Sequence, residues 1–194
     1  MSAVGRCITD VDSPEFHALF RNFKHTAYRL ETLQVYDVSY EIEPYRAFLA
    51  GRPRPRDESK NAWTAMLRDS AAEGKIAQRV HLVREPLTDY LRYELEWSYP
   101  PNVEAGEDIR ILPAKSVPPG DLSPLVLNMV RDYWLFDSRD LWVMGYDHRG
   151  RFLNIEQVDD PTTILTRALW RDAALHYAIP YADYMRRREL LAAS

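Results

Sequence analysis

Residues 79–113, RVHLVREPLTDYLRYELEWSYPPNVEAGEDIRILP, read as strand, helix, turn and strand. From Arg79 to Arg84 the chain alternates, with Val80 and Leu82 on one face and Arg79, His81 and Val83 on the other, the two-residue period of a strand lying on a core. Pro86 suits a first helical position, where its missing N–H leaves nothing unpaired. Leu87, Leu91, Leu95 and Tyr99 then recur every four residues and share one buried stripe, while Arg92 and Glu96 are spaced to pair on another side. Pro100 and Pro101 are expected to stop that helix. Asn102 and Gly106 supply turn chemistry, and Ile109 to Leu112 make a short strand with Glu107 and Asp108 before it.

Upstream, Ser13 can cap a helix that starts at Pro14 and turns Phe16, Leu19, Phe20 and Phe23 inward. HTAYRLETLQVYD reads as one long strand, or a strand with a bulge, on which Arg29 and Glu31 point the same way. A short helix from Pro44 to Ala50 ends at Gly51, RPRPRDESK is a loop, and Trp63, Met66, Leu67 and Ser70 follow helical spacing up to Gly74. Downstream, PAKSVPPGDLSP is the longest loop, expected to cover a site, and a short helix from Pro124 to about Val130 follows. YWLFD is an apolar run typical of a strand buried on both faces, ended by Asp137. Leu141 to Tyr146 and Arg151 to Val158 form a hairpin around DHRG. Asp159, Asp160 and Pro161 start a last long helix with Ile164, Leu165, Ala168, Leu169 and Leu175 on its buried side. The expectation is an α/β fold, or α+β: one domain over 14–184 with a central mixed sheet flanked by helices, a leader over 1–13 and a solvated tail over 185–194.

A chain of 194 residues with 46% hydrophobic and 28% charged side chains can bury a sizeable core. Its net charge of −4 argues against direct nucleic-acid binding and against a polybasic membrane anchor. No apolar run approaches the roughly 18 residues of a membrane span, and no secretory pattern opens the chain, so a cytoplasmic location is expected. The single Cys7 excludes an intrachain disulfide.

The chemistry-bearing residues gather in the same central stretch. Asp89, Tyr90, Arg92, Glu94, Asn102, Glu107 and Arg110 lie where the chain folds back on itself, and convergent polar groups at strand ends are where open α/β sheets hold ligands. Arg29, Tyr90, Arg92, Asn102, Arg110 and Asp137 are the candidate ligand contacts. For proton transfer the candidates are His25, near Arg29 and Glu31, together with Glu31, Asp89, Glu94 and Glu107. Each ion pair among them has a plainer reading as a structural bridge at a sheet or helix edge. His17, His25, His81, His148 and His176 show no metal-ligand spacing, so no metal is expected; no Gly-x-Ser-x-Gly turn and no phosphate-binding glycine loop occurs, so no cofactor is expected either.

HTAYRLE, EPLTDYLRYEL, NVEAGEDIR, WLFD, DDP and RDAALHYAIPY together resemble the actinobacterial family called domain of unknown function 6879, over residues from about 16 to 184. Members of that family are often encoded beside helix-turn-helix regulators, and the resemblance therefore implies a role in regulation. In the order of its elements the chain also resembles one half of phospholipase D-like folds, which occur as sensor domains too. Those enzymes carry His-x-Lys-x4-Asp, the histidine as nucleophile and the lysine neutralising phosphodiester oxygens. With the last position on Asp137, Val130 and Asp132 stand where the histidine and lysine belong, so this resemblance implies the fold without the phosphodiesterase chemistry. The expected function is a sensor or adaptor module that binds a small polar or anionic ligand, or a helix-turn-helix regulator protein. The alternative is a group transferase or hydrolase of specialised metabolism using an Arg/Glu/His-lined cleft.

Overall fold

A computed structural model describes residues 5–117, 120 and 129–192. Eight strands form one mixed sheet in the order β1-β7-β6-β5-β2-β3-β4-β8. They are β1 (Cys7–Ile8), β2 (Thr26–Glu31), β3 (Ile76–Val83), β4 (Asp108–Pro113), β5 (Tyr133–Phe136), β6 (Asp140–Tyr146), β7 (Phe152–Val158) and β8 (Ile179–Pro180). β2, β3 and β4 run parallel, and every other neighbouring pair is antiparallel. Val80, Leu82, Ile109, Ile111, Leu135 and Phe136 are all buried, as a core-forming sheet requires.

Helices cover both faces. On one, Ile164, Ala168 and Leu175 of the long helix α6 (Pro161–Tyr177) pack on Tyr28, Leu30, Val80, Leu82 and Leu135. On the other, α1 (Pro14–Asn22) and α3 (Glu58–Ala72) bring Phe16, Phe20, Trp63 and Met66 against Ala27, Trp134, Phe136 and Trp142. Ser13 caps α1 by accepting the Phe16 N–H at 3.2 Å, and Asp160 caps α6 by accepting from Thr163 at 2.7 Å. Beside them, α2 (Ile42–Leu49) and the helical unit after β3 carry an aromatic layer of Tyr45, Phe48, Tyr90, Tyr93 and Trp97.

That unit is longer than its prolines suggest. It starts at Thr88, whose hydroxyl accepts the Leu91 N–H, and not at Pro86, which follows a cis peptide bond. It then runs as α4 (Asp89–Tyr93), a π-helical segment Glu94–Ser98 and α5 (Tyr99–Glu104), so Pro100 and Pro101 sit inside it. The π segment makes room for them: Tyr99 N–H reaches the Glu94 carbonyl, and the Leu95 carbonyl, which Pro100 cannot serve, accepts the Tyr181 hydroxyl at 2.6 Å.

Other departures are local. β2 ends at Glu31 because Thr32 turns its N–H and hydroxyl to the Asp132 carboxylate, both at 2.8 Å, which takes the chain out of the ladder. On α6, Leu165 and Leu169 are 62% and 61% exposed: they sit one position beyond the row that meets the sheet. The stretch expected as a leader contributes β1 to the sheet, and the expected tail is the helix α7 (Tyr181–Ala192), with Tyr184 buried and Met185 packed beside it. The expected helix at 124–130 falls almost wholly outside the described residues.

Candidate functional site

Parallel pairing sets Arg29 beside Arg79 and Glu31 beside His81 on the sheet face under the π segment. All four are polar side chains at alternate positions of strands whose other face buries Tyr28, Leu30, Val80 and Leu82, so they are carried inward together. The Glu31 Oε1 accepts from Arg79 Nη1 at 2.7 Å and from Arg29 Nε at 3.4 Å. Arg29 also reaches Asp132 at 3.1 Å, the Tyr146 hydroxyl at 2.8 Å and the Met144 sulfur. Asp132 takes a further bond from Tyr36 at 2.6 Å, and Arg79 reaches Glu107 at 2.9 Å, whose second oxygen accepts from Asn102 at 2.7 Å.

His81 is fully buried at the centre of this layer. Its Nε2 lies 2.7 Å from the Leu33 carbonyl, which can only accept, so Nε2 carries the hydrogen. Nδ1 therefore presents a lone pair when the ring is neutral, and it faces the Tyr99 hydroxyl at 2.6 Å, Glu94 Oε2 at 3.4 Å and Glu31 Oε2 at 3.6 Å. Tyr99 also lies 3.0 Å from Glu31 Oε2, so one phenolic hydrogen stands between two acceptors. Glu94 Oε2 is buried with no hydrogen-bond partner among the described residues. Burial works against charge on each of these groups. It pushes the Glu94 carboxyl well above its ordinary range, helped by Glu31 and Glu41, and the His81 imidazole down. For Glu31 burial also works upward, but the Arg79 and Arg29 guanidiniums outweigh it and hold the carboxyl well below the usual range. Glu31, His81 and Glu94 could hold a metal ion between them, since one donor atom from each lies within 4.8 Å of the others.

A second feature opens to solvent. Between the C-terminal end of α2 and the α4–π unit lies a groove of ≈ 490 Å³, lined by Phe48, Leu49, Gly51, Arg52, Asp89, Arg92, Glu96 and Trp97. Arg92 pairs with Asp89 at 3.4 Å and lies 6.0 Å from the Phe48 ring centre, while Arg52 pairs with Glu43 at 3.3 Å; all four charged groups are at least half exposed.

The residues expected to share one cleft are thus divided among four places. Arg29, Glu31, Glu94, Asn102 and Glu107 meet in the buried layer; Arg92 and Asp89 line the groove, and Arg92 pairs with Asp89 and not with Glu94 or Glu96. Tyr90 adjoins the buried layer, its hydroxyl on Glu41 at 2.5 Å. Arg110 lies on the opposite sheet face, bonded to Asp108 at 3.1 Å. Asp137, at φ 51°, accepts backbone N–H groups of Lys24, His25 and Thr26 and is a turn residue and cap. His25 is exposed at the far end of β2 from Glu31, roughly 20 Å along the strand at its usual rise. Arg79, His81, Tyr99, Asp132 and Tyr36 were not singled out from sequence, although same-face polar residues on β3 were the signal for the first two.

No curated protein matches the sequence. Among solved structures, NucT from Helicobacter pylori is similar at 9% identity and a TM-score of 0.48, covering 91% of this chain and 98% of its own. A family model described as domain of unknown function (DUF6879) matches residues 14–186. With β2 to β8, the helices α1, α3 and α6 on the two faces and both site features inside those bounds, the chain belongs to the DUF6879 family.

Proposed function

We propose that this protein is a binding module that holds a small polar or anionic ligand, or an acidic segment of a partner, in the groove between α2 and α4. The observation that carries the reading is the make-up of that groove. Two guanidiniums, Arg52 and Arg92, stand beside the aromatic side chains Phe48 and Trp97, and no serine, cysteine, lysine or histidine is among the lining residues. Such a surface suits an anion carried on a flat ring, which would take Arg92 from Asp89 and Arg52 from Glu43; Asp89 and Glu96 are the acidic groups of the lining. Its volume falls within the usual range of about 300–1,000 Å³ for small-molecule sites. The enzymatic alternative built on His25 gains no support from placement, because His25 stands apart from every acidic candidate of the buried layer; the histidine beside Glu31 and Glu94 is the fully buried His81. A phospholipase D-like half-fold is compatible with this reading: Asp132, at the position of that fold's lysine, is saturated by Thr32, Tyr36 and Arg29. In the cell the module would act as a cytoplasmic sensor or adaptor beside a helix-turn-helix regulator.

The test is calorimetric titration of the purified chain with aromatic carboxylates, aryl phosphates and nucleotides. Arg52→Ala and Arg92→Ala should each weaken the tightest binder about tenfold or more, the equivalent of a charged hydrogen bond of about 1.5–3 kcal/mol, with melting temperature unchanged. Unchanged affinity in both variants would end the groove reading.

A further inference from the structure

We propose that Glu31, His81 and Glu94 form a site for one divalent first-row metal ion, taken up by Glu31 Oε2, His81 Nδ1 and Glu94 Oε2 beneath the π segment. The proposal stands apart from the groove and would survive its failure.

Spacing is the first ground. Ligand atoms roughly 2.0–2.2 Å from a four-coordinate ion are roughly 3.3–3.6 Å apart. Nδ1 lies 3.4 Å from Glu94 Oε2 and 3.6 Å from Glu31 Oε2. Hydrogen bonding is the second. Glu94, only 4% exposed, aims a partnerless oxygen into the cluster, where unpaired polar atoms are rare. The other two ligands are held from behind as metal ligands commonly are: the Leu33 carbonyl takes the Nε2 hydrogen of His81, and Arg29 and Arg79 bind the Oε1 of Glu31, while its Oε2 faces inward and meets the Tyr99 hydroxyl at 3.0 Å. Charge is the third. Two guanidiniums, Arg29 and Arg79, face four acidic side chains, Glu31, Glu94, Asp132 and Glu107, so acidic groups outnumber these basic ones and a cation meets no net repulsion from them. Tyr99 must yield: its hydroxyl, 2.6 Å from Nδ1, would move back by roughly 0.7 Å to reach ordinary ligand separation. An imidazole with two carboxylates suits Zn²⁺, Mn²⁺ or Fe²⁺ better than the hard, oxygen-seeking Mg²⁺ or Ca²⁺.

The experiment loads the full chain with Zn²⁺, Mn²⁺ or Co²⁺, dialyses it, and measures bound metal by mass spectrometry and Co²⁺ coordination by its visible absorption. About one equivalent is expected, with a four-coordinate Co²⁺ spectrum and a fall in melting temperature on chelation. Glu94→Gln keeps the shape and removes the anionic ligand, so it should weaken binding by about 100-fold or more, whereas a variant with His17, His25, His148 and His176 all changed to Ala should retain the metal. Should Glu94→Gln fail to fold, the Co²⁺ spectrum and chelation shift of the unmodified chain decide alone. Less than about a tenth of an equivalent on the unmodified chain means that a proton and not a metal fills the gap, and overturns the proposal, as does equal binding by folded Glu94→Gln.

Discussion

Arg29 is 4% exposed and Arg92 stands in solvent, and that difference decides what each can do. Arg29→Ala takes from Asp132 its guanidinium partner and from Glu31 one of two, Arg79 remaining, where neither carboxylate can be rehydrated. It should cost about 3–5 kcal/mol, near 6–20 °C in melting temperature for a chain of this length. Arg92→Ala loses one exposed pair and should cost under about 1 kcal/mol. Thermal unfolding of the two variants side by side checks this, and similar shifts would contradict the assigned burial. The sequence showed that Arg29 and Glu31 share a face of one strand, since alternation alone sets that. It could not show that the face is covered. A strand with polar alternate residues normally turns them to water, and these are buried only because the π segment, Tyr36 and Asp132 arrive from distant positions to pair with them. Arg92 carried the same signal in sequence as Arg29 and ended outside, because its helical row faces the groove.

At the scale of elements, the Leu91, Leu95 and Tyr99 stripe was readable from its period, and all three are buried. Continuation through two prolines was not, because it depends on the Tyr181 hydroxyl of the distant helix α7. Tyr181→Phe removes that bond to the Leu95 carbonyl and should destabilise the chain by about 1–3 kcal/mol, the cost of leaving a buried acceptor unpaired. Hydrogen exchange should rise at Glu96 to Asn102 before other helices respond. Protection unchanged in that segment would mean that the π turn is held by packing alone. The early end of β2 has the same origin: Thr32 prefers the Asp132 carboxylate to the ladder, a choice invisible in HTAYRLETLQVYD itself.

For the molecule as a whole, Asp137 ties the β5–β6 hairpin to the start of β2. Burial pushes its carboxyl upward, but N–H groups of Thr26, Lys24 and His25 outweigh that and lower its pKa in the folded state. The sign follows: this contribution is complete above the unfolded value of about 3.9 and fades as pH falls through the folded one. The stability gap between the natural chain and Asp137→Asn should therefore be constant from about pH 6 to 8 and narrow below about pH 4, as read by urea unfolding. A gap that widens in acid would refute the sign. The mixed sheet itself was legible from its apolar runs, whereas the order of its strands, which rests on pairings between distant segments, was not. Two short strands close that order. β1 pairs with Ile155 and Glu156 in the middle of β7, and β8 with Arg110 and Ile111 in the middle of β4. Each outer strand thus has its central amides taken and only short lengths free on either side. A second molecule seeking to add itself to the sheet finds no continuous run of open donors and acceptors, so these few residues act as guards against fibre-like stacking as well as trim on a finished fold.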